Sequence, residues 1–182
     1  MTDNFLFISS NPYKVEEVEK LTSGYGITIT HINYKINELQ TDDILLLLRN
    51  KTLQAFEKYR LPVMVDHAGL YIDCLAGMPG ALTQLFWDRL GSKICEIVNF
   101  YGNDSAQAST AIGLCDGKQI YLRESKKSGK ITDHPRGSRS FQWDTIFIPE
   151  GETRTYAEMT VPEKNLISQR KIAIESLFND LM

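Results

Sequence analysis

The sequence lacks a long apolar run. Its longest stretch of apolar residues, 44–48, is far shorter than the roughly 20 residues that a membrane-spanning helix needs. We therefore expect no membrane association. Residues 1–4 also lack the basic and apolar segments of a secretory signal peptide, so a cytoplasmic protein is expected.

Basic charge and cysteine are also scarce. The 20 Lys and Arg residues are outnumbered by 23 Asp and Glu residues, which gives a net charge of −3. A general nucleic-acid binder carries a basic excess, so a nucleic-acid partner, including RNA, is disfavoured. A polyanionic ligand would have to be held by a local group of basic side chains. The cysteines are odd in number and lack metal-site spacing, which favours buried, reduced thiols at Cys74, Cys95 and Cys115.

The rest of the composition suits one globular domain, because 182 residues with 42% apolar content can bury a sizeable core. The pattern of apolar residues, caps and turn residues predicts, in the first part of the chain, a strand at 5–9, a helix from Pro12 to about 22 capped by Asn11, a strand at 27–32 and a helix opened by Thr41 and running to about 59. Strands at 62–65 and 70–74 follow around a turn at Gly69, and then a loop at 77–80 and helices at 82–89 and 92–101. The last part is predicted to contain strands at 108–115, 119–125 and 141–148 and a closing helix from Pro162, whose apolar positions 166, 167, 172, 174 and 177 face inward. This order indicates a single α/β domain over residues 1–182, with two lobes and a cleft between them.

The first predicted strand leads into a short turn with the sequence S-S-N-P-Y-K at residues 9–14. Free amide groups at the start of a helix attract an anion. Ser9, Asn11 and Lys14 are therefore candidate phosphate ligands, and Lys14 adds a full positive charge. The alternative interpretation is a plain capped helix with a surface lysine.

Acidic residues that could help to bind a metal occur at Glu17, Glu38, Asp66 and Asp73. Mg²⁺ takes oxygen ligands and usually shares them with substrate phosphates. Asp66 follows an apolar strand, a frequent position for a catalytic carboxylate in α/β proteins, although scattered acids are also common on surfaces. The neighbouring His67 has three open roles, as a general base, a metal ligand or a hydrogen-bonded structural residue.

Two aromatic residues, Phe141 and Trp143, alternate on a predicted strand and so share one face. They are either core residues or a platform on which a nucleobase stacks, with Asp144 at its edge to accept hydrogen bonds from ring N–H groups. Three basic residues could bind phosphate or purine oxygens, or could lie as surface charges: Arg136, Lys164 and Arg170.

Segments along nearly the whole chain resemble, in order, the motifs of the inosine triphosphate pyrophosphatase family, which clears non-standard purine nucleotides. The family motifs, each with its similar segment here, are T-G-N-x-x-K-x-x-E (9–17), acid-Leu/Tyr-Gln (38–40), E/D-D-S/T-G-L (66–70), L-x-G-x-P-G (75–80), P-R-G (135–137), F-G-W/Y-D-P-x-F (141–147), T-x-A-E-M (155–159) and K-N-x-x-S-H-R (164–170).

The resemblance implies an α/β protein with a long central mixed sheet flanked by helices, a nucleotide cleft between two lobes, and a homodimer. It also implies a Mg²⁺-dependent cut, with Mn²⁺ as a substitute, between the α- and β-phosphates of ITP, XTP and their deoxy forms. By position, Asn11 and Lys14 would meet phosphates, and Glu38 and Asp66 would place the metal. Phe141 would stack on the base, and the nucleotide pocket would be completed by Trp143, Asp144, Lys164 and Arg170.

Several departures from the family motifs fall on the expected active site. The second acid of the E/D-D-S/T turn is His67, which joins Asp66 and Lys14 as the predicted catalytic set. The histidine that faces the base in the family is Gln169. Imidazole is a poor ligand for a hard cation, but it is a suitable proton acceptor near neutral pH. We therefore keep open a changed mechanism or specificity, ordinary family activity, and nucleotide binding without catalysis. Further changes lie at Ser10, Ala68, Gln142 and Thr145.

Overall fold

The computed structural model describes residues 4–138 and 142–180. Within these residues the strands form one mixed sheet in the order β2-β1-β3-β5-β6-β7, with β4 paired to β3. The strands are β1 (Asn4–Ile8), β2 (Thr28–Ile32), β3 (Val63–Ile72), β4 (Pro79–Gly80), β5 (Ser105–Cys115), β6 (Ile120–Ile131) and β7 (Phe147–Pro149). The helices are α1 (Pro12–Ser23), α2 (Ile44–Tyr59), α3 (Thr83–Leu90), α4 (Lys93–Tyr101), α5 (Val161–Ile167) and α6 (Gln169–Asn179). The predicted α/β class with a mixed sheet is confirmed.

The chain divides into two compact units. The first comprises residues up to 67, residues 110–125 and residues from 170 onward. In it β1 pairs in parallel with β2 and with the start of β3. Its core includes Phe7, Val18, Leu177 and Phe178, and each such fully buried side chain contributes about 1.5–3 kcal/mol. The helix α1 starts as predicted, because Asn11 accepts hydrogen bonds from the first free amide groups.

The second unit comprises residues 68–109 and 126–169. Its core includes Leu70, Ile94, Trp143, Phe147 and Tyr156. The ring of Trp143 meets Phe147 edge-on with 6.1 Å between ring centres, and Phe147 lies 5.4 Å from Tyr156. In the described parts of the chain, no helix is both long and apolar enough to cross a membrane.

The predicted turn at Gly69 is wrong, since β3 runs without a break from Val63 to Ile72. A glycine is required at this position for a steric reason. A Cβ atom at Gly69 would lie 2.8 Å from the carbonyl oxygen of Gly80 in β4. Any side chain at position 69 would therefore collide with the backbone of β4, which passes close to it.

The predicted strand at 141–148 is confirmed only at its end, where Phe147 and Ile148 belong to β7, and it is wrong at residues 142–145. Residues Gln142–Thr145 form a 3₁₀ turn, closed by a hydrogen bond from the Thr145 hydroxyl to the carbonyl of Gln142 at 3.0 Å. Trp143 is only 2% exposed. The alternation that would have put it beside Phe141 on a strand face is absent, and Phe141 itself lies outside the described residues.

The predicted closing helix is two helices, α5 and α6, separated at Ser168, whose backbone is extended with ψ 151°. Of the apolar positions predicted to face inward, Ile174 and Leu177 are buried, whereas Leu166 is 70% and Ile172 44% exposed. Because the helix is interrupted at Ser168, one continuous apolar stripe does not describe both segments.

The predicted start of α2 at Thr41 is also corrected. Asp43 is the N-cap, and its carboxylate accepts hydrogen bonds from the amides of Leu45 and Leu46. The hydroxyl of Thr41 accepts from the amide of Asp43 instead. The three cysteines are free, and Cys95 and Cys115 are buried as predicted, whereas Cys74 is only partly buried.

Candidate active site

The turn at residues 9–14 directs a lysine toward a buried acid. The amide of Asn11 donates to the Ser9 hydroxyl, and the Asn11 side chain caps α1. One turn further, Lys14 Nζ donates to Asp66 Oδ1 at 3.0 Å. Burial lowers the pKa of Lys14, against the opposing charge of Asp66. The surface-lysine alternative therefore does not hold, because the Lys14 side chain is only 14% exposed.

Asp66 is held on both carboxylate oxygens. Lys14 binds Oδ1, and Arg170 Nη2 donates to Oδ2 at 3.1 Å. Burial alone would raise the pKa of Asp66, but the charges of Lys14, Arg170 and Lys51 outweigh it and keep that pKa well below its usual range. Asp66 is therefore an ionised carboxylate with a fixed orientation.

A second acid, Glu38, lies in the same unit. Lys51 Nζ donates to Glu38 Oε1 at 2.7 Å and to the backbone carbonyl of Asp66 at 3.0 Å. His67 Nδ1 is 3.5 Å from the same Glu38 oxygen. Burial would raise the pKa of Glu38, but the hydrogen bond from His67 and the charge of Lys51 lower it well below its ordinary value. Lys51 thus connects the two acids.

These residues form one network, here called the ion cluster. Arg170 completes it, because its Nη1 donates to the Glu17 carboxylate while its Nη2 binds Asp66. His67 aside, the members are the carboxylates of Glu17, Glu38 and Asp66 and the cations of Lys14, Lys51 and Arg170. Positive and negative charges are therefore equal in number, and the predicted set of His67, Asp66, Lys14 and Glu38 does come together.

The second unit contains its own buried ion pair. Lys164 Nζ donates to Asp144 Oδ2 at 2.5 Å, and both side chains are almost fully buried. Lys164 also lies 5.2 Å from the centre of the Tyr156 ring. Two residues predicted to bind nucleotide are thus paired with each other.

Gln169 and Arg136 also make contacts within this unit. The Tyr156 hydroxyl donates to Gln169 Oε1 at 3.0 Å, so the acceptor of the amide is engaged. Arg136 Nη2 donates to the carbonyl of Thr153 at 2.9 Å, and its Nε lies 3.5 Å from Glu158. The guanidinium of Arg136 therefore joins the P-R-G turn to the segment that follows β7. Whether these residues also touch a nucleotide stays a prediction, as does the role of Phe141.

Comparisons with known proteins identify the family and the fold. A family model described as the Ham1 family matches residues 5–180. The chain belongs to the Ham1 family. It is 33% identical to the dITP/XTP pyrophosphatase of Thermococcus kodakarensis, over 95% of this chain and 94% of that protein. It is 32% identical to inosine triphosphate pyrophosphatase 1 of Trypanosoma cruzi, over 93% and 88%. A solved HAM1 protein from Coxiella burnetii superimposes with a TM-score of 0.81 at 25% identity, covering 98% of both chains.

The membership confirms the family that the motifs indicated. Within this Ham1 chain, Lys51 is the cluster residue that sequence reasoning missed. A signal for it was present, because Leu47, Leu48, Thr52 and Ala55 mark the buried face of α2 and Lys51 falls on that face. A lysine on an apolar stripe requires a buried partner, and here the partners are Glu38 and the Asp66 carbonyl.

The donors in this Ham1 chain fit Mg²⁺ only in part. In residues 4–138 and 142–180, no group of three or more His, Cys, Asp or Glu side chains has a metal-site arrangement. Each oxygen of Asp66 already accepts from a cation, and Glu38 Oε1 accepts from Lys51. A cage built by the protein alone does not fit. A cation that arrives on phosphate groups needs only one or two carboxylates, and Glu38, with its side chain 28% exposed, is accessible enough to provide one.

Proposed function

We propose that this protein hydrolyses non-standard purine nucleoside triphosphates to a monophosphate and pyrophosphate. The observation that carries the proposal is the ion pair between Lys14, at the start of α1, and Asp66, with Lys51 donating to the backbone carbonyl of Asp66. Relatives that share about a third of its residues over nearly their whole length are named dITP/XTP pyrophosphatases. A lysine with three donors can keep its carboxylate and still bind a phosphate oxygen.

In this reaction a water molecule attacks the α-phosphorus and the bond from that phosphorus to the bridging oxygen breaks. The oxygen of water stays on the monophosphate, the bridging oxygen leaves with pyrophosphate, and the protons of water pass to a base and to solvent. Lys14 and Lys51 would offset the negative charge that builds up on the phosphate oxygens. Such preorganised charge is usually the largest part of catalysis of this kind.

We assign the proton acceptor to His67. Glu38 faces its Nδ1 at 3.5 Å, and a carboxylate there favours the tautomer with the proton on Nδ1. In that tautomer Nε2 is the basic nitrogen of the ring, and it would take the proton from water, in the manner of a base oriented by an acid. This is the altered chemistry that the departure at position 67 suggests.

Mg²⁺, with Mn²⁺ as a substitute, belongs to the proposal as a cation bound together with the triphosphate. Of the two predicted ligands, Glu38 and Asp66, the accessible Glu38 would hold it, and it would supply charge neutralisation on the phosphate oxygens. Base recognition would fall to the predicted set of Phe141, Trp143, Asp144, Lys164 and Gln169. A homodimer and a cytoplasmic location are further parts of the proposal that rest on the resemblance and the sequence.

The second candidate function is nucleotide binding without hydrolysis. It is favoured by one observation, the equal number of carboxylates and cations in the ion cluster. A carboxylate at position 67 would give the ion cluster an excess negative charge that attracts Mg²⁺. His67 adds no negative charge. A protein of this kind would bind nucleotide through Lys14 and Lys51 and release it unchanged.

The test is incubation of the purified protein with ITP, XTP, dITP, GTP and ATP, with Mg²⁺ or Mn²⁺, followed by separate assays of pyrophosphate and phosphate. We expect pyrophosphate and a monophosphate from the 6-oxo nucleotides. Lys14→Gln should lower the rate by about a hundredfold, as the loss of one charge-stabilising donor does. The matched control is Lys20→Gln on the same helix, because Lys20 is half exposed and pairs with Glu16.

Each outcome separates the candidates. Binding by calorimetry without pyrophosphate release would favour the binding protein. Release of phosphate alone would show that a different bond is cut. Equal rates for wild type and Lys14→Gln would remove the pair at α1 from the mechanism.

A further inference from the structure

Glu38, the accessible acid of the ion cluster, lies in an irregular segment of residues 33–43 that joins β2 to α2, here called the β2–α2 connection. An irregular segment depends on side chains for the contacts that a ladder of backbone hydrogen bonds gives to a strand or a helix. Gln54 of α2 supplies one of them, because its Nε2 donates to the backbone carbonyl of Asn37 at 2.9 Å. The same Nε2 donates to Asn50 Oδ1 at 2.5 Å, one turn earlier on the helix, which holds the amide in this direction.

Two further contacts follow the same face of α2. Lys58 Nζ lies 3.4 Å from the centre of the Tyr34 ring, near the start of the connection. Lys51 Nζ donates to Glu38 Oε1 at 2.7 Å. Positions 51, 54 and 58 are three and four residues apart, so they form one stripe of the helix, and the connection runs along this stripe in the opposite direction.

We propose that Gln54 and Lys58 are positioning residues, which hold the β2–α2 connection against α2 and so place the Glu38 carboxylate to take the cation that arrives with the triphosphate. This inference rests on the proposed function, since it names residues that set the geometry of one acid of the same site. Both residues lie outside the ion cluster.

The contact of Gln54 acts directly on Glu38. The carbonyl of Asn37 and the amide nitrogen of Glu38 belong to one planar peptide unit, so a hydrogen bond to that carbonyl fixes the plane from which the Glu38 side chain starts. Ile36, which is 5% exposed, anchors the connection just before this unit. Lys51 holds only the tip of the Glu38 side chain, and its own flexible stem allows that tip to move.

Trypsin cleavage measures how often the connection leaves α2, because Lys35 is exposed and the residue after it is buried. A protease needs a detached segment, so the rate of cleavage after Lys35 follows the population of the open form. We expect this cleavage, mapped by mass spectrometry, to become roughly twofold to tenfold faster in Gln54→Leu and in Lys58→Met, the scale of one lost hydrogen bond or cation–π contact. Gln84→Leu is the matched control and should cleave as wild type does, since that glutamine also bonds a neighbour on an exposed helix face, Asp88 at 2.7 Å.

Pyrophosphate release from ITP tests the consequence for the reaction. The Mg²⁺ concentration that gives half of the maximal rate should rise roughly twofold to tenfold in Gln54→Leu and Lys58→Met, because Glu38 must then be ordered as the cation binds. The kcat at saturating Mg²⁺ and the ranking of ITP, GTP and ATP should stay as in wild type. Gln54→Lys, which keeps a donor at this position, should recover part of the change.

A structural role alone would speed cleavage after Lys35 and leave the Mg²⁺ requirement unchanged, and that result would overturn the inference. An altered ranking of the nucleotides, or cleavage in Gln54→Leu as slow as in wild type, would overturn it too.

Protection from trypsin separates this inference from the proposed function. In wild type, α,β-methylene ITP with Mg²⁺ should slow cleavage after Lys35, since a cation bound to Glu38 holds the connection at the site, and Glu38→Gln should remove that protection. Gln54→Leu should need more Mg²⁺ for the same protection. If wild type releases no pyrophosphate from any nucleotide, hydrolysis is refuted, and these protection measurements still decide the role of Gln54. No protection in wild type, or the same Mg²⁺ requirement in wild type and Gln54→Leu, contradicts the inference.

Discussion

Replacing His67 by aspartate tests how the ion cluster balances its charge. The side chain of His67 is 4% exposed, and its Nδ1 is 3.5 Å from Glu38 Oε1. Two carboxylates about 4 Å apart near a protein surface repel each other by about 4 kcal/mol at an effective dielectric constant of 20. Lys51, 2.7 Å from the same oxygen, offsets part of this repulsion. Without divalent cations we expect His67→Asp to lower the free energy of unfolding by about 1–3 kcal/mol.

Mg²⁺ should reverse this loss. The pair of acids created by His67→Asp is a better site for a hard cation than a carboxylate beside an imidazole. A ligand that binds only the folded state stabilises it by about 2.7 kcal/mol when present at 100 times its dissociation constant. The unfolding free energy of the variant should therefore rise with added Mg²⁺ by clearly more than that of wild type.

The assay is urea denaturation with and without Mg²⁺, together with pyrophosphate release from ITP across a pH series. His67→Asn is the control, because it removes the imidazole without adding a charge. If His67 is the base, both variants should hydrolyse ITP more slowly than wild type. An identical Mg²⁺ response in wild type and His67→Asp would refute the charge argument. Equal, rapid hydrolysis by all three proteins would show that position 67 takes no part in proton transfer.

Further predictions concern the base, acid stability and the aromatic residues. Tyr156→Phe should free the acceptor of the Gln169 amide and raise the affinity for ATP relative to ITP in competition binding, since a 6-amino group needs an acceptor. The pKa of Asp66 is lowered in the fold, so the ionised carboxylate stabilises the protein fully above the ordinary pKa of 3.8, and this stabilisation is lost as the pH falls below that value. The unfolding midpoint of Asp66→Asn should therefore vary less between pH 5 and 2 than that of wild type. Trp143→Ala should reduce the free energy of unfolding by about 3–5 kcal/mol in denaturant titrations, as expected for a core aromatic. Phe141→Ala should weaken purine nucleotide binding by about 1–3 kcal/mol in calorimetry, and unchanged affinity would exclude stacking at that position.

Local signals predicted well the elements that depend on local chemistry. The start of α1 followed from Asn11 and Pro12, whose capping and backbone preferences act within a few residues. The strand β1 and the helices α3 and α4 likewise lie close to their predicted positions. These elements carry their own start and stop signals, so tertiary packing had little to change.

The errors occur where distant contacts decide the conformation. Gly69 resembled a turn residue, but it is small because Gly80 approaches it. The segment from Gln142 to Thr145 has the alternation of a strand, yet Asp144 is bound to Lys164, 20 residues away, and the backbone curls into a 3₁₀ turn. Sequence alternation could not reveal either partner.

The site shows the same division. Lys14 was predicted from its position at the start of a helix, and Asp66 from its predicted position after a strand. That Arg170 binds Glu17 and Asp66 depends on contacts 153 and 104 residues apart in the chain. No local pattern distinguishes such an arginine from a surface arginine. The position of Lys51 on an apolar helix face, in contrast, indicates a buried lysine with a polar partner.

The equality of charge in the ion cluster has a consequence for how this sequence can diverge. A single substitution of Arg170 or Glu17 would strand an opposite charge in the interior, and breaking a buried pair typically costs about 3–5 kcal/mol, a large share of the stability of an ordinary domain. Losing both partners together is far less harmful. We therefore expect positions 17 and 170 to change in concert during descent, and a descendant carrying only one of the two changes to be rare and short-lived in its lineage.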